Sequence, residues 1–192
     1  EELLAPSAEL DAARAAGEAE LLAQLAEQEG KTERWSTWSH SGPYQATSGP
    51  EAFRTVYAPE PGSPEGADAL PWGPREDYVD GKVYTDLTGT NCAHYLKRTV
   101  TLPADREVQL SLGSDDTLTV WVNGEQVLAK EVYRGAAPDQ EKVTVQLLAG
   151  TNTILMKVCN GGGPAGFYFA NQGDGLPDDV LAGLRGEPGA PE

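Results

Sequence analysis

Two adjacent carboxylates, Asp115 and Asp116, follow Gly113 and Ser114 between two runs of alternating apolar residues, so they fall at a strand corner. Backbone carbonyls also point outward at such a corner, and an oxygen-rich site of this kind suits Ca²⁺. The alternative is a turn held by Asx hydrogen bonds to the backbone. A second group, Tyr133, Arg134 and Asp139, lies in the polar stretch after Lys130. An aromatic, a cation and a carboxylate in a loop on a rigid scaffold form a binding surface, or else an ion pair that orders the loop. Trp121 is out of phase with Leu118, Val120 and Val122 and so faces away from them. There it can stack on a sugar ring, or be covered by residues 58–81 or an N-terminal helix.

Catalysis finds less support. A hydrolase needs a nucleophile with its base, or two carboxylates held across a cleft. The chain has two histidines, His40 and His94, and no Gly-x-Ser-x-Gly. Cys92 and Cys159 stand alone, without the Cys-x-x-Cys-His of haem attachment. They are too few for a zinc site or a disulfide framework, although each sits at a strand end where a bridge is geometrically possible. The reading is a protein that is not an enzyme. With 14 Lys plus Arg against 30 Asp plus Glu, the net charge of -16 repels phosphate backbones and anionic lipid. Nucleic acid is excluded as a partner, and so is membrane insertion, since no window approaches the roughly 20 apolar residues of a spanning helix. The opening Glu-Glu-Leu-Leu-Ala-Pro, without Met or a basic and apolar leader, reads as a piece of a longer protein.

The elements that must position these groups are mostly strands. The 192 residues suit one domain with appendages. Residues 1–33 read as a connector helix, rich in Ala, Glu and Leu between Ser7 and Gly30. Residues 34–172 read as a β-sandwich, and 173–192 as a short helical turn with a disordered tail. Within the sandwich, 34–57 is expected to hold two short strands, and the Pro-rich 58–81 a long ordered loop laid over a sheet. Strands are expected over 82–87 and 92–102. Asn123-Gly124 between Val-Trp-Val and Glu-Gln-Val-Leu marks a type I′ hairpin. Val143, Val145, Leu147 and then Ile154, Met156, Val158 predict a second hairpin, before a last strand with Phe167 and Phe169 on one face. The fold class is all-β, a sandwich or jelly roll.

The segments Gly113 to Val127, Leu148 to Val158 and Gly166 to Phe169 resemble the galactose-binding-like jelly-roll modules found beside bacterial polysaccharide enzymes. The Asp-Asp corner also looks like the paired aspartates of protective-antigen-type sugar-binding domains. The Ala-rich helix, Trp38 to Tyr44, Tyr133 to Gln140 and Gly-Phe-Tyr-Phe are similar to a module inserted in large planctomycete proteins that carry cytochrome-c-like domains. The resemblance covers about residues 34–171. It implies a galactose-binding-like β-sandwich exported from the cytoplasm, in the periplasm, at the cell surface or secreted. The function expected is a non-catalytic carbohydrate-binding module of a larger protein, with polysaccharide held by Trp121, Tyr133, Arg134 and Asp139. Calcium is the expected cofactor, at Asp115 and Asp116. The alternative is a structural domain that docks against other domains of its parent.

Overall fold

The computed structural model describes residues 13–21, 32–63 and 71–172. Residues 13–21 are helical (α1) and exposed throughout, and Thr32 and Glu33 are not helical; the rest of the expected connector helix of 1–33, and the turn and tail expected over 173–192, lie outside the described residues. The strands are β1 (Arg34–Trp35), β2 (Trp38–Gln45), β3 (Gly73–Arg75), β4 (Val83–Leu87), β5 (Cys92–Leu102), β6 (Arg106–Asp115), β7 (Thr117–Val122), β8 (Glu125–Lys130), β9 (Glu141–Leu147), β10 (Gly150–Asn160) and β11 (Ala165–Asn171). They form two antiparallel sheets, β3-β2-β5-β10-β7-β8 with β1 beside β5, and β4-β11-β6-β9. The all-β sandwich expected from the alternation is what the chain forms.

The core follows from side-chain parity. Leu96, Val100, Leu118, Val120, Ile154, Met156 and Val158 from the larger sheet meet Val108, Leu110, Leu112, Phe167 and Phe169 from the smaller, all at 1% exposure or less. Trp38 closes one end, edge-on to Phe167 and Phe169 with ring centroids 6.2 and 5.0 Å away. Asn123 and Gly124 both adopt positive φ, 52° and 83°, as a type I′ turn requires.

Two expectations fail here. Residues 49–54 are a helix, α2 (Gly49–Arg54), where a strand was expected. Ser48 caps it by accepting from the Glu51 amide at 3.2 Å, Pro50 sits in the first turn, and the Glu51 carboxylate reaches back to the Thr47 amide at 2.7 Å. The expected hairpin of β9 and β10 is an arch instead. Among the described residues β9 pairs only with β6, whereas β10 pairs with β5 and β7 in the other sheet. Asn152, fully buried, holds the crossing through the Leu148 amide and carbonyl at 2.9 and 2.8 Å.

The outer face of the larger sheet carries its own apolar cluster. Ala93, Tyr95, Trp121, Leu155 and Cys159 are covered by Ala52 and Phe53 of α2, with Tyr44, Tyr57 and Trp72 around them. The segment after α2 is locked down by a buried lysine. Lys157 Nζ donates to Phe53 O (2.9 Å), Thr55 O (2.6 Å) and Glu60 Oε1 (2.7 Å), so all three of its protons are used. The described part of the Pro-rich stretch therefore does lie on a sheet, as expected, although Gly73–Arg75 adds a short edge strand.

Candidate functional site

The β6-to-β7 corner carries the chain from the smaller sheet to the larger, and Asp115 and Asp116 stand at the crossing, joined by a cis peptide bond. The Asp116 amide donates to Cys159 O at 3.0 Å, and the Ser114 hydroxyl donates to Asp116 O at 2.7 Å. Asp116 Oδ2 accepts the Gly161 amide at 2.9 Å. Burial, and then the neighbouring Asp116 charge, push the Asp115 carboxyl above the ordinary carboxylate range. The Asn160–Gly163 turn that meets this corner is fixed from beneath, since Asn160 Nδ2 donates to Gly89 O at 2.5 Å.

Tyr133 belongs to this corner. A side-chain carbon placed on Gly161 would stand 3.5 Å from Tyr133 Cε1 and 3.4 Å from Asp116 Oδ2, so ring and carboxylate flank the same glycine. On the other side, a carbon on Gly49 would meet Gly161 Cα at 2.8 Å and the Tyr133 ring at 3.6 Å. Only a residue without Cβ lets the start of α2 pass so close to the turn. Tyr133 keeps 57% of its surface exposed. The result is an exposed phenol over bare backbone, with the mostly buried Asp116 carboxylate at its edge.

The other expected binding residues are engaged elsewhere. Arg134 donates to Glu141 Oε1 at 3.0 Å and more weakly to the Ser114 hydroxyl at 3.4 Å. Both members of the ion pair are mostly covered, 22% and 15% exposed, so Arg134 braces the corner from behind and is not free to hold a ligand. Asp139 is not its partner. That carboxylate accepts from the Ser111 hydroxyl at 2.6 Å and Gln172 Nε2 at 3.1 Å, with Lys142 at 3.6 Å. Residues 131–140 thus form a strap across the outer face of β6. Gly113 permits its close approach, because a carbon there would fall 2.0 Å from Ala137 O. Trp121 is 7% exposed within the second cluster, so it offers no free ring face; its residual surface edges a recess of about 250 Å³ with Pro59, Pro61, Lys97 and Leu155.

The two cysteines are free and buried, and their geometry excludes a bridge. Cys92 stands opposite Asn160, and Cys159 opposite Ala93, so the two thiols leave the sheet on opposite faces. Cys92 Sγ lies 3.6 Å from His94 Nε2 on the inner side, while Cys159 belongs to the outer cluster. The histidines, for which sequence reasoning found no use, pair with one another. His40 Nε2 is 2.9 Å from His94 Nδ1, and His94 Nε2 is 2.9 Å from Thr88 O, which assigns the His94 proton to Nε2.

No family model matches this chain, and no curated protein does. Solved structures similar to it include the PA14 domain of an antifreeze protein, 17% identical over 43% of this chain and 45% of that one, with a TM-score of 0.36. A PA14 sugar-binding domain from an RTX adhesin is 21% identical over 42% and 47%, with a TM-score of 0.32. A β-glucosidase from Kluyveromyces marxianus, in complex with glucose, is 16% identical over 52% of this chain and 14% of the enzyme, with a TM-score of 0.36. The chain spans less than half the length of each.

Among the described residues no group of three or more His, Cys, Asp and Glu side chains gathers as a metal cage. A cation at the corner would rest on the Asp115 and Asp116 carboxylates, completed by backbone carbonyls, water or ligand hydroxyls. That set is all oxygen, which fits calcium better than zinc. Among the described residues no helix is long and apolar enough to cross a membrane.

Proposed function

We propose that this chain is a non-catalytic carbohydrate-binding module of a larger extracytoplasmic protein, and that glycan binds at the corner of Asp115, Asp116, Tyr133 and Gly161. The observation that supports it is the exposed Tyr133 ring sharing Gly161 with the Asp116 carboxylate. A sugar offers an apolar ring face and a rim of hydroxyls, so it needs an aromatic and hydrogen-bonding oxygens within one ring's width. The binding residues are then narrower than the loop as a whole: Arg134 and Asp139 position the corner and its strap, and Trp121 holds the second cluster together. Asp115 and Asp116 are the residues that would hold calcium, which would neutralise the paired carboxylates and give hydroxyls a cation to meet.

A glycan-array screen of the isolated chain, with calcium and with chelator, tests the reading. Binding that disappears in Tyr133→Ala with melting temperature in chelator unchanged, and in the double variant Asp115→Asn, Asp116→Asn, which keeps an acceptor for the Gly161 amide, supports it. Failure to bind any glycan in either condition, or binding undiminished in both variants, overturns it. Calcium at a hundredfold excess over Kd would stabilise the native chain by about 2.7 kcal/mol. A melting temperature indifferent to calcium removes the metal but leaves the sugar site standing.

A further inference from the structure

Among the described residues the two open sheets end on four strands, β3 and β8 in one and β4 and β9 in the other; β1, beside β5, also has a free side but is two residues long. An edge exposes unpaired backbone groups that template pairing with another chain, and proteins blunt edges with proline, bulges, charge or cover. Three of the four edges are blunted in this way. β3 is three residues long with Pro74 at its centre. β4 pairs with β11 across a bulge, and the segment before it stands alongside: Arg75 and the Tyr78 hydroxyl reach its Asp86 at 2.5 and 3.1 Å. β8 pairs with β7 across a bulge between Val120 and Trp121, and begins and ends on Glu125 and Lys130.

β9 carries charge only at its start, Glu141 and Lys142, and among the described residues it has neither bulge nor proline. It runs against β6 in unbroken register from Leu112↔Glu141 to Arg106↔Leu147. Val143, Thr144, Val145, Gln146 and Leu147 bring neither charge nor proline. Beside them a groove of about 450 Å³ opens between the two sheets, where Val127 and Val145 form apolar walls and Leu148 is 52% exposed. Arg106, opposite Leu147 at the far end of this edge, is already paired with Glu33 at 2.8 Å, and two carboxylates stand nearby. Glu107 stands opposite Gln146 on β6, and Glu125 lies at the mouth of the groove. Lys142, at the near end, already faces Asp139 at 3.6 Å.

We propose that β9 is a strand-acceptor edge, and that an extended segment of a partner polypeptide adds to it as a fifth strand of the smaller sheet. The partner segment alternates aliphatic residues, which enter the groove toward Val127 and Leu148, with lysine or arginine, which leave on the outer face of the smaller sheet, the side of Glu107. A second copy of this chain is the poorer occupant, because it would bring its own net charge of -16 to an acidic edge. This inference is independent of the sugar reading, since the corner of Asp115 and Asp116 takes no part in it.

The test uses the whole chain and a fluorescein-labelled peptide of alternating valine and lysine, about eight residues long, within the span of one strand. Two control peptides carry the same residues in blocks, or a central proline. The alternating peptide is expected to bind about tenfold or more tightly than either control, the difference of one or two backbone hydrogen bonds. Hydrogen exchange is expected to slow at the β9 amides and stay unchanged at β8. Equal binding of the blocked peptide would reduce the interaction to charge and overturn the proposal, as would protection at β8, or no binding at millimolar peptide. Dimerisation of the chain alone with protected β9 amides would also overturn it, by naming the other occupant.

Discussion

Lys157 Nζ lies 2.7 Å from Glu60 Oε1, with the lysine side chain 2% and the glutamate 9% exposed. Around them, the Tyr95 hydroxyl donates to the same Glu60 oxygen at 2.5 Å. The pair joins the inner part of β10 to the segment after α2, and so holds the cover over Trp121.

Removing one member strands the other in a dry site. Lys157→Met is expected to cost about 3 to 5 kcal/mol in denaturant unfolding, the range for an orphaned buried charge. The double variant Lys157→Met, Glu60→Gln should recover a good part of that loss, because no charge is left unpaired. A double variant as unstable as the single would show that the carbonyl contacts to Phe53 and Thr55 dominate.

Arg134 separates bracing from binding. Its pair with Glu141 is partly covered and reaches Ser114 as well, so Arg134→Ala is expected to lose about 1 kcal/mol of stability. Tyr133→Ala, at an exposed ring, is expected to leave the melting temperature nearly unchanged while removing glycan affinity. The opposite pattern in thermal melts and calorimetric titration would return Arg134 to the role expected from sequence.

The histidine pair sets a pH dependence. Burial first, and then His40 beside it, pull His94 down from 6.5 to about 4. Between those values the unfolded chain takes up a proton that the folded chain refuses, so stability falls as pH drops from 6.5 toward 4. At about 1.4 kcal/mol per pH unit, the loss is about 2 to 3 kcal/mol. Asp115 acts with the opposite sign, since its raised carboxyl takes a proton more readily in the folded state. Urea midpoints measured from pH 7 to 4 should drop in the wild type and drop less in His94→Gln; parallel curves would remove the histidine from the account.

The thiols make a simpler test. Burial pushes Cys159 up to about 11 and raises Cys92 as well, and the two face opposite sides of the sheet. Neither is expected to react with a thiol reagent in the native protein, and both should react on unfolding. A mobility shift on reduction would contradict the register of β5 and β10.

How much of this was legible depends on how local each signal is. Alternation located the strands: β5 over Cys92–Leu102 and the Asn123-Gly124 hairpin were read where they stand. Partnership was harder. Val143 to Leu147 and Ile154 to Val158 alternate alike whether the intervening turn folds back in one sheet or crosses to the other, and the buried amide of Asn152 decides for the crossing. For α2 a signal was present, since Ser48 and Glu51 have capping-box spacing with Pro50 between them. The β-prone Phe53, Val56 and Tyr57 outweighed it. The corner was legible in its carboxylates and in Tyr133, but not in its geometry. Gly49, Gly161 and Gly113 look like ordinary loop glycines until the backbones that press on them are known.

The pairing order of the smaller sheet has a consequence for how the chain is made. β11, the last strand among the described residues, lies between β4 and β6, and the first part of β5's surroundings, β1 and β2, comes from the opposite end of the sandwich sequence. A nascent chain emerging from the ribosome or a translocation channel therefore cannot close either layer piecemeal. Until residues 165–171 have emerged, β4 has no neighbour within its sheet and β6 is paired on one side only. Phe167 and Phe169 arrive last at the centre of the core. The smaller sheet stays open through most of synthesis and closes only when β11 is inserted.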